Sequence, residues 1–370
     1  MENILLKYGY KESETEAKIE KIFFQLFESK NETEERICFY KDDLAYIVDT
    51  GHNDIRSEGM SYGMAIAAIL NKKNLFDKLW NFSKRYMLNK VGNHTGYFAW
   101  QVSAIDFSMM DKGAAPDGEE YFAFALLLAA EKFKEESYKT EALDLLNRML
   151  YKKTSGNVRS LFDLENFIVR FSPVAGNDFT DPSYHTIAFY RIFKEVSNDE
   201  TWDKIIKASE KFLENTMHKT TGLTPDYAEY DGTPKKTIFN PKSDLFSGDS
   251  WRVIFNLALD YSLNKNSEFH FQEQRMIRKI LHFFENKKNY KADYFTDGKI
   301  PEGSREKTVG LIAMNAAGVI ALNHETQEGQ FFIEDFWNVK IPTGKWRYYD
   351  SLLYFLSLLA LSGKFLDLKS

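Results

Sequence analysis

The sequence predicts an all-α protein, an (α/α)6 barrel in which six outer helices surround six inner ones. Segments with helical periodicity run along the whole chain of 370 residues, which contains only 8 prolines. The segments alternate between two kinds. One kind is apolar on most sides and should be buried all round, and the other is amphipathic and should form an outer layer. The apolar kind recurs every 41 to 66 residues, as expected for a repeat of helical hairpins.

Twelve segments have this periodicity, at residues 13–29, 57–71, 74–88, 117–134, 138–152, 183–196, 200–216, 249–264, 267–287, 309–323, 328–338 and 350–362. The six apolar ones begin near Glu58, Asp117, Ser183, Asp249, Val309 and Asp350. An open helical solenoid is the alternative, but its repeats are shorter, about 33–47 residues. Because the inner helices of a closed barrel are parallel, their first turns should meet at one rim. Long connections precede most of them, and loops of that length are usually functional.

Composition limits the classes of function. The net charge of −6 argues against nucleic acid and anionic membranes as partners. Cys38 is the one cysteine, which excludes an internal disulfide and suits a reducing compartment. The first residues lack the apolar core of a signal peptide, and no stretch approaches the ~20 apolar residues of a transmembrane helix. We therefore expect a cytoplasmic protein with one barrel domain over residues 1–370, and we take it to be a monomer.

Acidic side chains gather at the predicted rim. Glu58, Asp117 and Asp249 stand at the starts of three inner helices, and Arg252 follows Asp249 by three residues. Hydrolysis of a glycosidic bond needs one protonated carboxyl group, which donates to the leaving oxygen, and a second carboxylate, which attacks or activates water. Arg252 favours the ionised form of Asp249, as a base requires. An acid at Glu58 needs a raised pKa, and hence apolar walls and a neighbouring carboxylate.

Each of these residues also has a structural interpretation. Ser57, Asp117 and Asp249 are good helix N-caps, and Glu119 and Glu120 suit a first helical turn. His185 has no partner at metal-ligand spacing and is expected to satisfy hydrogen bonds. Aromatic residues near the rim are candidates for the core as well as for sugar stacking, namely Tyr97, Trp100, Tyr184 and Tyr349.

One motif points to another chemistry. Residues 59–63, Gly-Met-Ser-Tyr-Gly, match the Gly-x-Ser-x-Gly nucleophile elbow of serine hydrolases. That elbow needs an apolar strand before the turn, whereas the approach here, residues 52–57, is polar, so Ser61 is expected to be an ordinary helical residue. The chain has no Walker loop, no G-x-G-x-x-G and no Cys/His cluster, so we expect neither a metal nor an organic cofactor.

The motifs at the rim resemble those of glycoside hydrolase family 8. The matching stretches run in order from about residue 40 to the C-terminus and are Arg56–Met64, Phe76–Asn81, Ala115–Phe122, Asp181–His185, Tyr230–Pro234, Ser250–Val253 and Arg347–Asp350. Within the family, the sequence resembles in particular the intracellular enzymes that release xylose from the reducing end of oligoxylans. The resemblance implies an (α/α)6 barrel that hydrolyses β-1,4-xylo-oligosaccharides with inversion and uses no cofactor.

The resemblance also implies roles for individual residues. Glu58 would be the general acid and Asp249 the general base, about 6.5–9.5 Å apart as inversion requires. Asp117 would hold the sugar just before the cleaved bond and help to distort its ring. The other substrate-binding residues would be Trp100, Tyr184, Arg252 and Tyr349.

One loop departs from the family pattern. In relatives that act from the chain end, the resemblance implies a Leu-His-Pro sequence before the fifth inner helix, which closes the cleft beyond one xylose. Glu306-Lys307-Thr308 stands there instead, and Lys307 is the candidate ligand for a reducing-end hydroxyl group. The sequence thus predicts xylose release from the reducing end, with an endo-acting β-1,4-xylanase or other β-1,4-glycanase with an open cleft as the alternative. A binding protein on a decayed barrel is disfavoured because the three carboxylates are present.

Overall fold

The computed structural model describes residues 1–265, 267–285, 287, 289–322 and 326–365. Its α-helices are α1 (Ile4–Lys7), α2 (Glu12–Phe23), α3 (Ser57–Ile69), α4 (Lys73–Phe82), α5 (Pro116–Phe133), α6 (Glu136–Tyr151), α7 (Ile187–Ser197), α8 (Thr201–Thr216), α9 (Arg252–Leu263), α10 (His270–Glu285), α11 (Val309–Gly318), α12 (Gln327–Asn338) and α13 (Arg347–Leu361). Residues 286 and 323, which belong to two of the predicted segments, lie outside the described residues.

The helices form two concentric layers. In the inner ring, α3, α5, α7, α9, α11 and α13 each pack on the next, and α13 packs back on α3 to close it. The outer helices α4, α6, α8, α10 and α12 each pack on the inner helix before them in the chain, and α2 packs on α13. The predicted barrel of six inner and six outer helices is therefore confirmed.

The two kinds of helix are buried as their sequences predict. In α3 every side chain except that of Glu58 is buried, because Met, Ala and Ile cover all sides of the helix. The outer helix α8 instead buries one stripe at helical spacing, which comprises Trp202, Ile205, Ile206, Ser209, Phe212, Leu213 and Thr216. Within the described residues, the helices fall short of the length and apolarity that a membrane crossing requires.

Short strands lie in the connections between helices. They are β1 (Cys38–Lys41), β2 (Leu44–Ile47), β3 (Asp54–Arg56), β4 (Gln101–Ser103), β5 (Met109–Asp111), β6 (Phe162–Asp163) and β7 (Ile168–Val169). All pairs are antiparallel, and β3, β4 and β5 form one sheet in that order. Because β3 runs directly into α3, this sheet fixes the approach to the helix that carries Glu58.

Two glycines let the inner helices meet closely at this end. A Cβ atom at Gly59 of α3 would lie 2.5 Å from the hydroxyl oxygen of Tyr348 in α13. A Cβ atom at Gly118 of α5 would lie 2.4 Å from the Oγ atom of Ser57 in α3. Any larger residue would push these helix starts apart, so the two glycines serve helix packing.

Two helix starts differ from the predictions. Asp249 precedes α9, which begins at Arg252, and lies in a turn. Asp249 is therefore not a helical residue, although its carboxylate still accepts a hydrogen bond from Arg252. The predicted start at Ser183 is a 3₁₀ turn, Pro182–Tyr184, capped by the carboxylate of Asp181.

The other predicted N-caps are also wrong. Arg56 occupies the N-cap position of α3, and Ser57 is its first helical residue. Ala115 takes that position in α5, so that Asp117 is the second helical residue after Pro116. Neither Ser57 nor Asp117 caps its helix, which leaves the Asp117 carboxylate available for other contacts.

Arg347, the first residue of α13, anchors that helix to the N-terminal segment. The side chain is buried, and its guanidinium donates to the carbonyl oxygens of Glu32, Thr33, Arg36 and Gly344 at 2.6–3.1 Å. Water cannot replace these bonds readily, because the group is only 2% exposed.

The variant Arg347→Met should lower the free energy of unfolding by about 2–4 kcal/mol, because it leaves buried carbonyl oxygens without donors. Urea denaturation measures this change. The neighbouring variant Lys345→Met, at an exposed position, should change the free energy by less than about 0.5 kcal/mol. Equal stability of the two variants would contradict the anchoring role.

Candidate active site

A cavity of about 580 Å³ lies at the rim where the inner helices begin. It receives residues from the starts of α3 and α5, from the 3₁₀ turn before α7 and from the turn before α9. The predicted site residues in its lining are Glu58, Trp100, Asp117, Tyr184, Asp249 and Arg252. Chain segments nearly 200 residues apart thus supply one surface, as the predicted barrel requires.

The guanidinium of Arg252 is at the centre of the site. Its Nη1 atom donates to Asp117 Oδ2 at 2.6 Å and to the Tyr62 hydroxyl at 2.9 Å, and it lies 3.4 Å from Glu58 Oε2. Its Nη2 atom donates to Asp249 Oδ1 at 3.0 Å. The side chain is only 6% exposed, so these carboxylates are the charges that compensate it.

Glu58 and Asp249 contact different terminal nitrogens of the same guanidinium. Since the group is planar and rigid, the contacting oxygen atoms lie at most about 9 Å apart. The Asp249 side chain is 33% exposed and the Glu58 side chain 15% exposed. Both carboxyl groups are therefore accessible from the cavity, and both contact the same guanidinium.

Glu58 has the surroundings of an acid. Burial raises its pKa to about 7; Arg252 opposes this shift and the negative charge of Asp117 adds to it. The Tyr348 hydroxyl donates to Oε1 at 3.0 Å and fixes the carboxyl group. The raised pKa agrees with what an acid at this position requires, and it is caused by burial and by the neighbouring carboxylate that the sequence predicts.

Asp249 is carried by a turn that Asp226 holds in place. Asp226 Oδ1 accepts the backbone N–H groups of Ser250 at 2.9 Å and Ser247 at 3.2 Å. The Tyr349 hydroxyl donates to the carbonyl oxygen of Gly248 in the same turn, at 2.8 Å. These bonds fix the backbone on both sides of Asp249, so its carboxylate is oriented before any substrate arrives.

Burial raises the pKa of Asp249 and of two carboxyl groups close to it, Asp226 and Asp181. Burial raises the pKa of Asp249, Arg252 opposes that shift, and Asp117 adds to it. Burial and the charge of Asp249 raise the pKa of Asp226 to about 8. The same two causes raise the pKa of Asp181, whose Oδ2 lies 4.0 Å from Arg252 Nη2. Asp249 is the most exposed of these three groups, which suits it to carry the negative charge.

Two predicted ligands lie outside the cavity lining. Tyr349 is engaged with Gly248 behind the turn, and its ring lies 6.3 Å from that of Trp251. Lys307 forms an ion pair with Asp335 of the outer helix α12, at 2.8 and 3.0 Å, and its Nζ lies 5.3 Å from the Tyr290 ring centroid. The Lys307 side chain is thus directed to the outer layer.

Several residues with structural interpretations are also placed. His185 is buried between Thr180 and Ser209, as expected, and burial lowers its pKa to about 3. Ser61 donates to the carbonyl oxygen of Glu58 within α3, as an ordinary helical serine does. Glu119 and Glu120 are not exposed first-turn charges, since both are fully buried in α5.

Four residues near the reacting groups were missed by the sequence analysis: Tyr62, Asp181, Asp226 and Tyr348. Tyr62, Asp181 and Tyr348 belong to motifs that were noted, but nothing in those motifs separates a contacting tyrosine from a core tyrosine. Asp226 lies in the long connection between α8 and α9 and has no periodic or motif signal. Among the described residues, no group of three or more His, Cys, Asp or Glu side chains is arranged to hold a metal ion.

Known proteins resemble this chain over its whole length. The family model for glycosyl hydrolases family 8 matches residues 44–363. A reducing end xylose-releasing exo-oligoxylanase of Halalkalibacterium halodurans is 37% identical to this chain. The alignment covers 98% of this chain and 93% of the relative. One of the same name from Bifidobacterium adolescentis is 32% identical, with coverage of 98% and 96%.

Solved structures agree with these matches. A crystal structure of a family 8 glycoside hydrolase from Teredinibacter turnerae, in complex with xylobiose, has a TM-score of 0.93 and 34% sequence identity. The match covers all of this chain and 98% of that one. The agreement of fold, rim motifs and sequence over nearly the full length shows that this chain belongs to glycoside hydrolase family 8.

Proposed function

We propose that this protein hydrolyses β-1,4-xylo-oligosaccharides with inversion and releases xylose from the reducing end. The observation that carries the proposal is the placement of Glu58 and Asp249 in one cavity, on different terminal nitrogens of Arg252. The activity named for the relatives from Halalkalibacterium halodurans and Bifidobacterium adolescentis supports the choice of substrate.

In this proposal Glu58 is the general acid. Its pKa of about 7 keeps much of the group protonated near neutral pH. Its proton passes to the glycosidic oxygen as the bond between that oxygen and the anomeric carbon breaks. Tyr348 orients the carboxyl group for this transfer through its bond to Oε1.

Asp249 is the general base. It removes a proton from a water molecule whose oxygen bonds to the anomeric carbon on the face opposite the leaving group. Arg252 holds the ionised carboxylate in place through Nη2 and remains protonated throughout, because an arginine does not titrate in this range. Asp117 holds the sugar before the cleaved bond, with Trp100 and Tyr184 as the aromatic contacts in the same cavity.

The second candidate is an endo-acting β-1,4-xylanase or other β-1,4-glycanase. The observation that favours it is the ion pair between Lys307 and Asp335, which keeps the Lys307 side chain away from the cavity. A cleft that is open beyond the cleaved bond would accept more than one sugar as the leaving group.

We also propose a cytoplasmic location. Cys38 is a free cysteine with no exposed surface, and burial raises its pKa to about 12. A chain with no disulfide suits a reducing compartment.

Xylotriose and xylohexaose with a label at the reducing end should both yield labelled xylose first, because one sugar lies beyond the cleaved bond in the proposed mode. A chromatographic time course measures the products. Labelled xylobiose and xylotriose among the first products of xylohexaose would favour endo action instead. The variants Glu58→Gln and Asp249→Asn serve as controls and should lose about 100-fold or more in kcat while remaining folded.

The rate should fall as pH rises through about 7, because Glu58 must be protonated to act as the acid. The variant Asp117→Asn removes a negative neighbour that raises the pKa of Glu58. As the pH rises, the kcat/KM of Asp117→Asn should therefore begin to fall at a lower pH than the kcat/KM of the wild type. A pH profile of kcat/KM measures the shift, with the exposed Glu131→Gln variant as the control. An alkaline limb at the wild-type pH or above would contradict this assignment.

A further inference from the structure

Arg305 lies in the connection before α11 and packs on the turn that carries Asp249. Its Nη2 atom donates to the Ser247 Oγ at 2.9 Å, and its guanidinium carbon lies 5.1 Å from the Trp251 ring centroid. Ser247 and Trp251 flank Asp249 by two residues on each side. Arg305 is therefore a cation beside the proposed base, and the sequence analysis did not single it out.

The guanidinium is held rigidly. Nε donates to Asp293 Oδ2 at 3.0 Å, and Nη2 donates to Asp293 Oδ1 at 2.5 Å. Asp293 is buried and also accepts the Ser247 hydroxyl at 2.6 Å. A bidentate pair of this kind fixes both the position and the plane of the guanidinium.

One face of this group remains available. The Arg305 side chain is 52% exposed, and within the described residues its Nη1 atom has no hydrogen-bond partner. A donor that is fixed in position and still open to solvent loses little conformational freedom when it binds a hydroxyl group.

The location fits the leaving group. The cavity lining comes from the starts of α3 and α5 and from the connections before α5, α7 and α9. Asp117, Trp100 and Tyr184, which we assign to the sugar before the cleaved bond, belong to this lining. The sugar beyond the bond then lies toward the starts of α11 and α13. Lys307, the cation expected there, is paired with Asp335, whereas Arg305 stands beside the Asp249 turn.

We infer that Arg305 binds the sugar released from the reducing end, through Nη1 and a hydroxyl group of the xylose beyond the cleaved bond. This inference rests on the proposed function and assigns to Arg305 the recognition of the leaving sugar. Arg305 also contacts Ser247, so a role in positioning Asp249 has to be separated from substrate binding.

Two substrates make that separation. Xylotriose has a xylose leaving group, whereas β-xylobiosyl fluoride has a fluoride ion, which offers no hydroxyl group to Arg305. The variant Arg305→Gln should lose about 10- to 100-fold in kcat/KM on xylotriose, the loss expected for a hydrogen bond to a charged group. On the fluoride its kcat/KM should equal that of the wild type.

A second variant excludes damage from an unpaired buried carboxylate. The double substitution Asp293→Asn and Arg305→Gln removes both charges of the pair and should give the same selective loss. Lys299→Ala removes an exposed cation of the same connection and should leave both substrates unaffected.

Equal losses on both substrates would overturn the inference, because they would mean that Arg305 acts on Asp249 through Ser247. An unchanged rate on xylotriose would overturn it as well. So would a selective loss in Lys307→Met that is larger than the loss in Arg305→Gln. Wild-type hydrolysis of xylotriose tests the proposed function separately: its absence refutes both proposals, whereas its presence with unaltered Arg305 variants refutes the inference alone.

Discussion

The active site depends on one buried cation, the guanidinium of Arg252. Asp117 and Asp249 bind its two terminal nitrogens, and Glu58 approaches the first of them. Burial raises the pKa of Glu58 and of Asp249, and the positive charge of Arg252 opposes both shifts. The two groups differ in exposure, since the Asp249 side chain is 33% exposed and the Glu58 side chain 15% exposed. This difference agrees with the roles of acid and base that we propose for the two side chains.

The barrel supplies the geometry that Arg252 exploits. Inner helices that begin at one rim bring short segments from α3, α5 and α9 together, although they are far apart in sequence. Because Gly59 and Gly118 have no side chain, the backbone of α3 packs against Tyr348 and the backbone of α5 packs against Ser57. The last residues before α9 form a turn. The backbone N–H groups of Ser247 and Ser250 in this turn donate to the carboxylate of Asp226, which holds the turn in place. The scaffold therefore fixes the proposed acid, Glu58, on a helix and the proposed base, Asp249, on a turn that hydrogen bonds hold in place.

The sequence was sufficient for the barrel and for the convergence of Glu58, Asp117 and Asp249, because both follow from helical periodicity. It was not sufficient for local geometry. Asp249 lies in a turn because of contacts with Asp226, and Lys307 turns outward because of Asp335 on α12. Such contacts join irregular connections to distant elements and leave no periodic signal. Arg305 was overlooked for the same reason, and Tyr348 was overlooked because its motif does not separate a contacting tyrosine from a core tyrosine.

The most direct test of the account is the anomeric form of the first product. Glu58 and Asp249 contact different terminal nitrogens of Arg252, and the roles proposed for them require a water molecule to attack the anomeric carbon on the face opposite the leaving group. Proton NMR during the first minutes of xylotriose hydrolysis should therefore show xylobiose with an α-anomeric reducing end, before mutarotation forms the β-anomer. If the β-anomer appears first, the reaction proceeds with retention, and the roles assigned to Asp249 and Arg252 are wrong.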